Sequence, residues 1–88
     1  MAIIKKKIWP EYFELIKSGR KRVELRVADF DLKEGDTLIL EEWDPKVGEY
    51  TGRKIEKRVG YVLRYPLDKF GQEDLIKRHG LYTIQLED

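Results

Sequence analysis

The chain contains, at residues 17–26, the stretch Lys17-Ser18-Gly19-Arg20-Lys21-Arg22-Val23-Glu24-Leu25-Arg26. Gly19 stands where a helix would end, because glycine readily adopts the left-handed conformation that follows many helices. Beyond it, apolar and charged residues alternate with the two-residue period of a half-buried strand. The alternation puts three apolar side chains on one face and three charged ones on the other: Val23, Leu25 and Val27 against Arg22, Glu24 and Arg26. These residues predict a helix, a tight turn and a strand in succession.

The remainder of the chain divides into further short elements. A helix begins at Pro10, since proline suits the first helical position, and its apolar stripe continues through Ile16. A second, short helix is predicted over residues 72–79, and an irregular stretch over 67–70. Strands are predicted over residues 2–8, 20–27, 37–43, 53–64 and 81–86.

The order β-α-β-β-β-α-β predicts one α/β domain of the α+β type, spanning residues 1–88. Its expected architecture is a small, mostly antiparallel five-stranded β-barrel with the helices at its ends or side. A doubly wound parallel sheet is not expected, because it needs a crossover helix between most pairs of strands.

Composition narrows the function classes. There is no cysteine, and His79 is the single histidine, so we expect neither a metal site nor a bound cofactor. The chain lacks an apolar run of about 18 residues, and its first residues do not follow the order of a signal peptide, which predicts a cytoplasmic protein without a membrane partner. Charged residues make up 40% and asparagine is absent, a pattern typical of thermophile proteins.

The net charge of +1 conceals a strong segregation. Residues 1–26 carry +5 and residues 51–64 carry +4, whereas residues 27–50 carry −6. Local basic patches of this kind can bind an anionic partner although the whole chain is nearly neutral. Two other interpretations remain open: the charges can be solvated surface, or the acidic segment 29–44 can bind a protein partner.

The stretch Gly19 to Arg26 reads Gly-x-Lys-x-x-Glu-x-Arg, and it resembles the signature of the ASCH family, a PUA-like family. The Gly35-Asp36 turn before a strand also resembles that family. The hairpin around Trp43-Asp44-Pro45 and Gly48 to Arg53 is similar to that of its short phage and archaeal members. The resemblance implies a barrel with a helix beside it, and a cleft lined by the signature residues that binds RNA or a nucleotide-like ligand.

Several side chains are candidates for binding that ligand. Arg26 offers a planar fork for a phosphate or a carbonyl edge, and Glu24 can orient that fork or accept a hydrogen bond from a base. Their alternative role is a surface ion-pair ladder, which contributes little stability. The full candidate set adds basic residues for the phosphates, and an aromatic residue for stacking on a base: Lys21, Arg22, Arg58, Arg64 and Trp9, with Trp43 and Tyr65 as further aromatic candidates.

The resemblance also implies an enzymatic alternative. One branch of the family hydrolyses acetylated cytidine and another has been proposed to cut RNA, so a small hydrolase using Lys21 and Glu24 is the second hypothesis. Lys21 matches a catalytic lysine of the first branch, but Glu24 stands where that branch has a threonine nucleophile, and only Glu73 lies near the place of its glutamate. The oligomeric state expected from the sequence is a monomer or a weak dimer.

Overall fold

The computed structural model describes residues 1–66 and 71–87. It contains three strands and two helices within those ranges, in the order β1 (Ile3–Ile8), α1 (Pro10–Lys17), β2 (Thr37–Asp44), β3 (Glu49–Arg58) and α2 (Glu73–His79). The strands predicted at residues 2–8 and 37–43 and both predicted helices are confirmed. The irregular stretch predicted at residues 67–70 lies outside the described residues.

The three strands form one mixed sheet in the order β1-β2-β3. β1 runs parallel to β2, with Ile3 opposite Thr37, and the connection between them contains α1, as a parallel crossover requires. β2 and β3 form an antiparallel hairpin in which Trp43 lies opposite Tyr50, and a register shift interrupts the ladder between Glu41 and Trp43.

A small apolar core lies between α1 and one face of the sheet. It consists of buried residues from β1, α1 and β2, namely Ile8, Phe13, Ile16, Leu38 and Leu40, against which Ile4, Ile55 and Val59 pack. α1 has the local features of a stable short helix, with Pro10 in its first turn, Glu11 near its positive end and Lys17 near its negative end. Burial of Phe13 and Ile16 then fixes its rotation over the sheet.

The prediction of a closed, mostly antiparallel five-stranded barrel is wrong. Within the described residues the sheet is open, has three strands and is partly parallel. Segments 20–27 and 81–86 form no strand there, and β3 ends at Arg58, short of the predicted end at Arg64. Alternation of apolar and charged residues indicates which residues share a face. It does not indicate whether another strand lies beside the segment to form the backbone hydrogen bonds of a sheet.

Asp36 fixes the end of β3 beside the start of β1. Its side chain accepts hydrogen bonds from the backbone N–H groups of Ala2 and Lys33, each at 2.9 Å. Its backbone carbonyl accepts from Val59 N at 2.8 Å, and Val59 O accepts from Gly35 N at 2.8 Å. Both backbone groups of Val59 are therefore bound, so the chain leaves the sheet from a fixed point.

No helix in residues 1–66 and 71–87 has the length and apolar character needed to cross a membrane.

Candidate functional site

A cleft of about 1190 Å³ lies between two segments that leave the sheet and the helix. Residues 19–32, with the exception of Arg20, form one wall, and residues 57–64 form the other. The apolar residues Ile16, Leu38 and Leu40 line its base. Six basic and three acidic side chains line the walls, so the cleft is positively charged: Lys21, Arg22, Arg26, Lys57, Arg58 and Arg64 against Glu24, Asp29 and Asp31.

Glu24 is the centre of an ion-pair cluster on the first wall. Its Oε1 lies 2.6 Å from Lys21 Nζ, and its Oε2 lies 2.7 Å from Arg26 Nε. All three side chains are about 70–80% buried, which makes these contacts firmer than exposed surface pairs. Because segment 20–27 is not a regular strand, Lys21 and Glu24 can meet although they are three residues apart.

The same cluster attaches the wall to the sheet. Arg26 Nη2 donates a hydrogen bond to the backbone carbonyl of Lys7 on β1 at 2.7 Å. The contacts to Glu24 and Lys7 use two of the five N–H donors of the guanidinium, so Arg26 keeps donors for a ligand. The backbone N–H of Arg22 donates to Gln85 Oε1 at 2.7 Å, which joins this wall to the C-terminal segment.

The second wall also carries basic side chains, but these differ from those of the first wall in their ion pairing. Arg58 lies at the end of β3 opposite Thr37, next to the anchored Val59. Among the described residues, the side chains of Lys57, Arg58 and Arg64 form no ion pair. These cations are therefore available to an anion that enters the cleft.

The structure brings together six of the seven predicted binding residues: Lys21, Arg22, Glu24, Arg26, Arg58 and Arg64. Trp9 is half exposed and is not among the described residues that line the cleft. Gly19 follows Ser18, the C-cap of α1, and has a φ of 79°, the left-handed conformation that glycine often adopts beyond a helix end. Glu73 begins α2 and contacts Lys77 there, away from the cleft walls.

Two further residues of the second wall, Tyr61 and Lys57, line the cleft but do not belong to the predicted binding set. Both lie within the strand predicted over residues 53–64, whereas Tyr61 lies beyond the end of β3 and is exposed. The signal that could have found Tyr61 outside a strand is Gly60, since glycine weakens a strand interior.

A second polar cluster lies over α1, outside the cleft. Glu42, whose side chain is 3% exposed, accepts hydrogen bonds from Arg53 Nε at 2.9 Å and from Thr51 Oγ1 at 2.5 Å. Arg53 also pairs with Glu14 at 2.7 Å and lies over the Phe13 ring. The bonds from Arg53 and Thr51 lower the pKa of Glu42, and those to Glu42 and Glu14 raise the pKa of Arg53. Arg53 thus joins α1 to β2 through two carboxylates, so this cluster stabilises the fold.

No group of three or more His, Cys, Asp or Glu side chains in residues 1–66 and 71–87 is arranged to hold a metal ion.

Fold and cleft together define a small α+β domain with a basic cleft beside an open mixed sheet. Comparison of the sequence with known families identifies it further: the chain belongs to the family described as "Domain of unknown function (DUF3850)", whose pattern matches residues 3–75. The match includes all the cleft-lining residues and ends within α2.

The chain is also similar to a protein of Escherichia phage P2, described as "Uncharacterized 12.9 kDa protein in GpA 3'region". The two are 47% identical over 53 residues, which is 60% of this chain and 47% of the phage protein. The chain thus spans about half the length of this relative.

Proposed function

We propose that this domain binds RNA or a nucleotide-like ligand in the cleft between residues 19–32 and 57–64. The observation that carries the proposal is the set of Lys57, Arg58 and Arg64 on one wall, which form no ion pair within the described residues. Unpaired cations facing a cleft attract phosphate groups and bind them with release of counterions.

The signature residues support the same function. Lys21, Glu24 and Arg26 lie together on the facing wall, and Arg26 has donors left for a phosphate or a carbonyl edge. We also propose, from the Gly-x-Lys-x-x-Glu-x-Arg signature, that the chain is a relative of the ASCH family. That relationship concerns the signature and the cleft, since the sheet of the described residues is open. Location in the cytoplasm is part of this proposal.

Fluorescence anisotropy with short labelled RNAs tests the proposal. We expect micromolar affinity that weakens as salt rises, because a small basic cleft neutralises few phosphates. Arg58→Glu should weaken binding to about the same extent for every RNA sequence. It should also reduce the slope of log K against log salt concentration by about 1, as expected of a contact to the RNA backbone.

Arg78→Glu is the matched control. Arg78 is exposed on α2, away from the cleft, and its replacement makes the same change in charge. Equal losses in both variants would mean that net charge alone determines binding, and affinity independent of salt would contradict the phosphate-binding role.

The 2.6 Å contact between Lys21 Nζ and Glu24 Oε1 favours hydrolysis as a second candidate function. A lysine and a carboxylate at this separation can exchange a proton and position a water. The test is release of acetate from acetylated cytidine. Multiple turnovers by the wild type that are lost in Lys21→Ala would make the domain an enzyme. We expect binding without turnover, because both oxygens of Glu24 already accept hydrogen bonds from cations and the described cleft contains no hydroxyl nucleophile at the position of Glu24.

A further inference from the structure

The Glu24 carboxylate is engaged by two cations, which take about two of its roughly four acceptor sites. Oε1 accepts from Lys21 and Oε2 accepts from Arg26, at 2.6 and 2.7 Å. The cluster also holds its wall against Lys7 of β1. Its geometry is that of a group that positions the wall, and it offers no aromatic surface, so a group that stacks on a base has to come from elsewhere in the cleft.

Tyr61 is the aromatic residue of the second wall that meets this requirement. It lines the cleft and is 82% exposed, so its ring is open to a ligand. It follows Val59, whose backbone is bound on both sides, by two residues. Arg58 and Arg64 precede and follow it by three residues each, and both line the same cleft. One short segment therefore presents an aromatic ring between two guanidinium groups.

This arrangement matches the chemistry of an unpaired nucleotide. Single-stranded nucleic acids are bound by aromatic rings that stack on bases and by cations that contact the backbone. In a duplex the base faces are covered by their neighbours, and an A-form helix presents mainly its backbone and shallow minor groove to a protein. Ligand pockets commonly measure roughly 300–1,000 Å³, so a cleft of about 1190 Å³ has room for an unpaired nucleotide.

We propose that Tyr61 is the base-stacking residue of the cleft, with Arg58 and Arg64 contacting the flanking phosphates, and that the ligand is single-stranded RNA. This inference rests on the proposed function and adds to it the residue that contacts the base and the strandedness of the ligand. It transfers the stacking role from Trp9, which lies outside the cleft walls, to Tyr61.

The experiment compares a labelled eight-nucleotide RNA of mixed sequence with the same strand annealed to its complement, again by anisotropy. The wild type should bind the single strand more tightly. Tyr61→Ala should weaken single-strand binding by about 5- to 100-fold, and Tyr61→Phe should restore it, since the ring is kept. Tyr61→Leu keeps apolar bulk without a ring and should remain weak. Tyr82→Ala is the matched control, because Tyr82 is 92% exposed but does not line the cleft.

The outcomes separate the two proposals. Circular dichroism establishes that each variant is folded before its binding is compared. If Arg58→Glu weakens binding but Tyr61→Ala and Tyr61→Leu bind like the wild type, the cleft binds RNA and the stacking role is wrong. If duplex and single strand bind equally, the proposed strandedness is wrong. If the wild type binds neither RNA, this inference is wrong, and the proposed function is reduced to binding of a nucleotide-like ligand.

Discussion

At the scale of single residues, Gly19 determines how the chain leaves α1 and enters the cleft wall. Its N–H donates to Ile16 O at 3.0 Å, and two residues later Lys21 N donates to Leu15 O at 2.9 Å. These bonds use carbonyls that the end of a helix leaves without partners. They require the left-handed conformation at Gly19, where φ is 79°. The residue that ends the helix thus also determines where Lys21 begins the ion-pair cluster.

We expect Gly19→Ala to lower the free energy of unfolding by about 1–2 kcal/mol, the cost of a left-handed conformation for a residue with a Cβ atom. No atom lies within 4 Å of the added methyl group, so the backbone conformation is the source of this cost. Gly60→Ala is the control, since its Cβ also meets nothing within 4 Å and its φ is not positive. Urea denaturation measures both variants, and equal stability of the two would contradict the argument.

At the scale of elements, the predictions from the sequence were most accurate for features that depend on short-range interactions. α1 was predictable because Pro10, the apolar stripe and Gly19 each act within one or two helical turns. The β2–β3 hairpin was predictable from the turn at residues 44–48, whereas the register of its strands and the shift between Glu41 and Trp43 were not predicted. The parallel pairing of β1 with β2 was missed, because it joins residues about 34 positions apart and leaves no local pattern.

Segment 20–27 shows how a group of residues can be identified from the sequence although the backbone that carries it is not. Its charged residues were predicted as a group from the signature, and Lys21, Glu24 and Arg26 do meet. Their assignment to a strand was wrong, because side-chain bonds hold this segment in the described structure. The ion pairs and the carbonyl of Lys7 are tertiary contacts, which alternation of apolar and charged residues cannot indicate. Tyr61 was missed for a local reason, because the predicted strand was continued through Gly60.

At the scale of the whole molecule, two buried carboxylates join parts of the chain that are distant in sequence. Asp36 accepts hydrogen bonds from Ala2, which precedes β1, and from the turn at Lys33, and the backbone N–H of Ala2 is the main cause of its lowered pKa. Glu42 holds Arg53 and Thr51 across the β2–β3 hairpin. Both carboxylates accept their hydrogen bonds as anions, so the stability of the domain depends on their remaining ionised.

The stability of the domain should therefore fall in acid. A carboxylate whose pKa is lower in the folded chain than in the unfolded chain contributes stability above its unfolded pKa, and this contribution is lost as the pH falls through the folded value. Unfolded Asp and Glu have pKa values of about 3.9 and 4.3. Since the pKa values of Asp36 and Glu42 are lowered, the thermal midpoint should be nearly constant from pH 8 to about 5 and decrease below that. Glu42→Gln should lower the midpoint at pH 7 by about 6–24 °C, the effect of losing roughly one charged hydrogen bond in a domain of this size. It should also make the decrease in acid shallower, because one titrating group is gone.

Glu41→Gln is the matched control on the same strand, because no hydrogen bond or ion pair to its side chain occurs within the described residues. A wild-type midpoint that does not change between pH 7 and pH 3, or an equal effect of the two substitutions, would show that Glu42 is not one of the groups that link stability to pH.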